Sequence, residues 1–197
     1  MLYDKDIREP LFDFLEQKFG KIRIIEEKQM GKSRADVVMV RDGIITGIEI
    51  KSDADTYARL ERQITDYNKH FDYNYIVVGS SHAHHVEEHV PDWWGIITVD
   101  EAEEVDFYVL REANVNPRQH WEFFRKRQLG FLWRMELANI QALRGMHKYS
   151  GKSKRFVQEY LYENIPEEEL KIYITNELFE RDYSSVADKI KEYKEKK

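Results

Sequence analysis

Apolar residues recur along the chain with two periods, and the change from one to the other marks out the expected elements. Ile7, Leu11, Phe14 and Leu15, with Lys18 at the edge, follow the i, i+4, i+7, i+8 stripe of a helix over residues 4–19, and Gly20 is its natural stop. Pro10 falls early enough to cost only a first-turn irregularity. Three runs dense in β-branched residues come next, at 22–27, 35–41 and 44–51, and predict strands punctuated by Gly31 and Asp42-Gly43. Tyr57, Leu60, Ile64, Tyr67 and Phe71 share one face of a second helix over 53–71, with Ser52 and Asp53 as capping candidates. Residues 75–78 and 95–99 read as buried strands and 106–111 as a shorter one. Asn114-Val115-Asn116-Pro117 marks a boundary. Beyond it the pattern is helical, at 121–127, 131–146, 155–162, 167–181 and 185–195. The expectation is an α/β core over 1–112 and an all-helical extension over 113–197.

Composition narrows the function classes. A chain of 197 residues with 42% apolar and 13% aromatic side chains can bury a core. The absence of cysteine removes disulfides, thiol nucleophiles, iron–sulfur clusters and cysteine zinc sites, and suits a reducing compartment. The charged start and the lack of any apolar run of ~18 residues point to a cytoplasmic protein with no membrane partner. A net charge of −6 argues against a polyanionic partner, but its distribution argues for one. Residues 1–112 carry −10, residues 113–157 carry +8 and residues 158–197 carry −4. The basic middle is also rich in aromatics, and Lys148, Lys152, Lys154 and Arg155 cluster in a polar stretch suited to phosphate contacts. Set against this is a plain helical cap whose aromatics are core and whose cations are solvated.

The densest chemistry lies between Arg34 and Lys51. A two-residue Asp42-Gly43 turn pairs Arg41 with Ile44, Asp36 with Glu49 and Arg34 with Lys51, and places Arg34, Asp36, Glu49 and Lys51 on one face. Opposed Cβ atoms lie ~4.5–5.5 Å apart, where two carboxylates repel unless a cation sits between them. Hard oxygen ligands suit Mg²⁺, with Mn²⁺ as a substitute. Lys51, two residues beyond Glu49, can stabilise charge on an attacked phosphate. The plain alternative is an exposed hairpin with cross-strand ion pairs.

Arg34-Ala35-Asp36, Glu49-Ile50-Lys51 and Gln63-x-x-x-Tyr67 resemble the PD-(D/E)xK nuclease superfamily in its RecB-like branch, and more narrowly a bacterial and phage family within it. Ile7-Arg8, Glu27, Asp53-x-Asp55-Thr56, Arg59-Leu60, Gly79 and Pro91-x-Trp93-Trp94-Gly95 extend the likeness over about residues 4–100. Ala35 stands where proline is common. The resemblance implies a restriction-endonuclease-like core, α-β-β-β-α-β, with a mixed central sheet flanked by helices. It also implies Mg²⁺-dependent DNA hydrolysis. Asp36, Glu49 and the Ile50 carbonyl would hold metal, Lys51 would assist the attacking water, and Gln63 and Tyr67 would lie beside the centre. Glu27 is the family-matched third acid, with Glu9 its rival. Arg34 and Arg59 are candidates for phosphate contact. DNA is the expected partner ahead of RNA, and a homodimer is left open. The alternative is a catalytically silent nucleic-acid-binding or interaction protein on the same fold.

Three further motifs are set aside. The His82–His89 cluster lacks a closing carboxylate pattern, and only His82 is kept, as a candidate for the site's rim. Gly145 to Ser153 has five residues between its glycines where a P-loop has four. Asp53-Ala54-Asp55 opens like a calcium loop but has Ala58 at the glycine position.

Overall fold

A computed structural model of the chain describes residues 3–80, 82–101 and 105–183. At its centre is a six-stranded sheet whose spatial order follows the sequence: β1 (Arg23–Met30), β2 (Ser33–Arg41), β3 (Ile44–Lys51), β4 (Tyr73–Gly79), β5 (Gly95–Glu101) and β6 (Val105–Arg111). The first three strands form an antiparallel meander, β3, β4 and β5 run parallel, and β6 returns antiparallel. Helix α1 (Asp4–Phe19) precedes the sheet and α2 (Leu60–Tyr67) connects β3 to β4. After β6 come α3 (Phe124–Leu129), α4 (Arg134–Leu143), α5 (Lys154–Asn164) and α6 (Glu167–Phe179).

The helices divide between the two faces of the sheet. On one face α1 buries Ile7, Leu11 and Leu15 against Val37, Met39, Ile48, Ile50, Val77 and Ile97. On the other, Leu60, Tyr67 and Phe71 share a core with Val38, Val40, Ile45, Ile76 and Val78, and side chains from α4, α5 and α6 close over it. Most β3 and β4 side chains therefore meet apolar partners whichever way they point, which accounts for the apolar runs in these strands. Gly47 is required where Phe71 packs on β3, since a Cβ would lie 2.2 Å from the ring's Cδ2. Helix α6 seals the hairpin turn, with the Gly43 amide donating to Thr175 Oγ1 at 3.1 Å. The result is an α/β protein with a mixed sheet flanked by helices. Among the described residues no helix is long and apolar enough to cross a membrane.

Several boundaries differ from expectation for identifiable reasons. The second helix starts at Leu60, not near Asp53, because the Asp55 carboxylate accepts from the Ser52 amide (2.9 Å) and hydroxyl (2.6 Å) and holds a turn there. A 3₁₀ turn at Tyr57–Arg59 then leads in. Strand β1 continues to Met30 through the polar Glu26-Glu27-Lys28-Gln29, since Gly31 at φ +56° allows a two-residue return to Ser33. The helix expected at 121–127 begins only at Phe124, after Phe123 at φ +68°. The helix expected over 131–146 narrows to Arg134–Leu143. The expected helix at 185–195 lies outside the described residues.

Candidate active site

The hairpin register read from Asp42-Gly43 holds from Arg41↔Ile44 to Val37↔Ile48 and stops there. Asp36 is absent from that ladder, and the β1–β2 ladder likewise skips Asp36 and its opposite number Glu27, which adopts φ +53°. The backbone groups of Asp36 find partners elsewhere: its amide faces the Tyr67 hydroxyl at 3.4 Å and its carbonyl accepts from Arg8 at 3.2 Å. Its carboxylate Oδ2 accepts the Ile50 amide at 2.9 Å, reaching directly across to β3. Side-chain alternation breaks at the same point, since Ala35 joins the core cluster of Val38 and Val40 when strict alternation would place it with Val37. The expected pairing of Arg34 with Lys51 fails for this reason. Arg34 pairs with Gln29, and its guanidinium meets Glu27 at 2.5 Å.

These residues line a cavity of about 740 Å³ at the end of β3, walled by the β1–β2 turn, the Ala54–Thr56 turn and α2. Five carboxylates and six cations face it. Glu49 is 1% exposed, and every oxygen of its carboxylate is engaged. Lys51 Nζ (2.6 Å) and Gln63 Nε2 (2.5 Å) donate to Oε1, and the Tyr67 hydroxyl (2.8 Å) donates to Oε2. Lys51 also donates to Gln63 Oε1 at 3.2 Å. Tyr67 and Gln63, one helical turn apart on α2, thus grip the same carboxylate.

Electrostatics sets the two acids against each other. Burial raises the Asp36 carboxyl to about 7, the Glu49 charge adds to the effect, and the Ile50 amide and Lys51 only partly oppose it. Tyr67 is held well above the ordinary phenol value by burial and by the charges of Glu49 and Asp36, so its hydroxyl stays a donor. The arrangement is a mutually repelling acid pair, Glu49 buried and Asp36 half-buried, beside the Lys51 ammonium and with the Arg8 guanidinium 4.0 Å from Asp36.

The structure brings together Asp36, Glu49, Ile50, Lys51, Gln63, Glu27, Arg34 and Arg59 along one cavity, with Tyr67 buried beneath it. Glu27 is turned to Arg8 (2.6 Å) and Arg34 rather than to Asp36. Lys148, Lys152, Lys154 and Arg155 lie outside the lining, and Lys154 donates to the Gly130 carbonyl at 3.1 Å. Glu9 and His82 are also absent from it. His82 and His89 instead flank the Tyr57 ring at 5.3 and 4.3 Å. Among the described residues no three His, Asp or Glu side chains converge as a metal-binding group. Sequence reasoning named Arg8 in the family likeness but gave it no role at the site, where it joins Asp4, Glu26, Glu27 and the Asp36 carbonyl. Its place beside Ile7, at the margin of the α1 stripe, was the available signal. Lys32 and Arg62 were missed as well, although each adjoins a position that was singled out, Gly31 and Gln63.

The chain belongs to the family described as Bacteriophage P4 protein cII, whose profile it matches over residues 1–197. No curated protein matches it. Among solved structures it is similar to one described as Pyrococcus furiosus SfsA in complex with Ca²⁺, with 15% sequence identity and a TM-score of 0.34, over 53% of this chain and 59% of that one. The likeness thus spans less than two thirds of the SfsA chain.

Proposed function

We propose that this protein is a metal-dependent nuclease that hydrolyses DNA phosphodiester bonds, on the restriction-endonuclease-like PD-(D/E)xK core that its sequence resembles. The observation that carries this reading is the meeting of Asp36, Glu49, Lys51 and Gln63 in one cavity, with Tyr67 fixing Glu49 from below. The element order α1-β1-β2-β3-α2-β4 agrees with it. The donor chemistry fits a hard divalent cation, since one relieves the crowding of two carboxylates, of which Asp36 is raised to about 7 by burial and by the Glu49 charge. Asp36, Glu49 and the Ile50 carbonyl would hold Mg²⁺ or Mn²⁺. When bound, such an ion polarises a phosphate oxygen and lowers the pKa of water.

The chain's own residues do the rest. Lys51 sets a compact positive charge beside Glu49, where it opposes the charge that develops on an attacked phosphate. Gln63 bridges Lys51 and Glu49 and keeps both in place. Tyr67 fixes the Glu49 rotamer. Arg34 and Arg59 face the cavity as phosphate contacts, and Glu27 serves by orienting Arg8 and Arg34. The basic stretch 113–157 contributes long-range attraction. Incubation with single-stranded, duplex and branched DNA in Mg²⁺ or Mn²⁺ tests the reading. Cleavage by the wild type and none by Asp36→Ala is expected. Intact DNA in every combination would leave only a binding role.

A further inference from the structure

Beside the acid-pair cavity opens a second one of about 590 Å³ that shares Lys32 and Arg62 with it. Its wall starts at the β1–β2 turn, follows α2 past Arg62 and Asp66 to Lys69 and His70, and ends at Arg127 of α3. Gly31 rests on Asp66, since a Cβ there would lie 3.0 Å from Oδ1.

The charge along this trough is one-sided. Lys32, Arg62, Lys69 and Arg127 line it against the single carboxylate of Asp66. Among the described residues none of those four cations has an ion-pair partner within 4.0 Å. The neighbouring helical cations are spent internally: Arg125 on Asp72 and Glu167, Lys126 on Glu159, Arg144 on Glu169. His70 adds no charge of its own to the trough, because burial lowers its pKa and Arg127 and Lys69 oppose its protonation. Its ring is buried against Phe131 at 5.7 Å, so it offers no face to a base. What the trough presents is cationic charge without a stacking surface.

Resting on the reading of the adjoining cavity as the phosphodiester-cleaving site, we propose that this trough carries the DNA backbone into that site, with Lys32 and Arg62 at the junction and Lys69 and Arg127 further out. Recognition here is by phosphate charge alone, and is therefore independent of base sequence and steeply dependent on salt.

The test is the salt dependence of DNA binding in metal-free buffer, for wild type and for Lys32→Ala/Lys69→Ala/Arg127→Ala, with melting temperature as the folding control. The log–log slope should fall by about 2–3 in the triple variant, at ~0.7–0.9 per lost phosphate contact. Lys148→Ala/Lys152→Ala/Arg155→Ala should lower it by less. If the wild type cleaves DNA and the trough variant keeps the full slope, or the control loses as much, the track is overturned while the cleavage site stands. If the slope falls with RNA and not with DNA, the partner is wrong. If the wild type neither binds nor cleaves DNA, both readings fall.

Discussion

Replacing Asp36 with asparagine should stabilise the metal-free protein at pH 8. The Asp36 carboxyl, raised to about 7 from 3.8, binds its proton more tightly in the folded than in the unfolded chain. Above pH 7 it is ionised in both states, and folding bears the full cost of burying its charge beside Glu49. As the pH falls from 7 toward 4 the folded form takes up the proton first, so the cost fades and stability rises. A shift of about three units corresponds to about 4 kcal/mol at pH 8, falling to about 2 kcal/mol at pH 5. Asparagine keeps the acceptor for the Ile50 amide and removes the charge, at the cost of the 4.0 Å pair between Oδ1 and Arg8, so most of the gain should be realised. Allowing for relaxation, about 2–4 kcal/mol is expected at pH 8, or roughly 4–16 °C in melting temperature for a domain of this size. Thermal melts of both proteins in chelator at pH 8 and pH 5 measure it. The gap should at least halve at the lower pH, and added Mn²⁺ should raise only the wild-type melting point. An Asp36→Asn protein that melts no higher at pH 8, or whose advantage is the same at both values, would refute the strained acid pair.

Glu49→Gln should weaken Mn²⁺ binding greatly in calorimetric titration, and unchanged affinity would place the ion elsewhere. Lys51→Ala should lose about 10²–10³ in cleavage rate while DNA affinity barely changes; Lys51→Arg should not restore the rate, because a planar guanidinium is not a compact charge, and full activity of either variant would remove Lys51 from the chemistry. Tyr67→Phe should cost about 1–2 kcal/mol in urea unfolding, since the hydroxyl bonded to Glu49 is buried, and an undiminished midpoint would contradict that bond. Glu27→Gly should leave stability within about 1 kcal/mol of wild type, because relief of the left-handed backbone offsets two partly exposed ion pairs; its Mn²⁺ affinity should stay the same, and a large loss would restore Glu27 as a ligand.

Legibility in the sequence followed the range of the forces involved. The α1 bounds and the β2–β3 register were readable because one stripe, one glycine stop and one Asp-Gly turn determine them locally. That Gln63 and Tyr67 share one side of their helix was readable from helical spacing, and that this side meets Glu49 came from the family likeness. Strand β1 was cut short because Glu26 to Gln29 carries no apolar signal, and its last rungs depend on a turn conformation rather than on side chains. The onset of α2 turned on one Asp55 side chain competing with the helix for the Ser52 groups. The cationic trough was beyond reach, because it assembles a hairpin tip, α2 and α3, segments almost a hundred residues apart in sequence, and the +8 of residues 113–157 does not reveal that Arg125, Lys126 and Arg144 are already paired.

The break at Glu27 and Asp36 is what makes an ordinary hairpin into a site. In a regular ladder the Asp36 amide and carbonyl would be tied to neighbouring strands, and alternation alone would aim its side chain. Here those two groups pass to Tyr67 and Arg8, which belong to helices on opposite faces of the sheet. The position of one carboxylate is thereby set by both layers of the fold, and the left-handed Glu27 is the local strain that this arrangement requires. The Arg8 that holds the Asp36 carbonyl is itself held by Asp4, Glu26 and Glu27, so the charge surrounding the acid pair is organised from the α1 side although the pair opens toward α2. A substitution on α1 that never touches Glu49 should therefore still move Asp36, and the sheet's two faces cannot vary independently at this point of the chain.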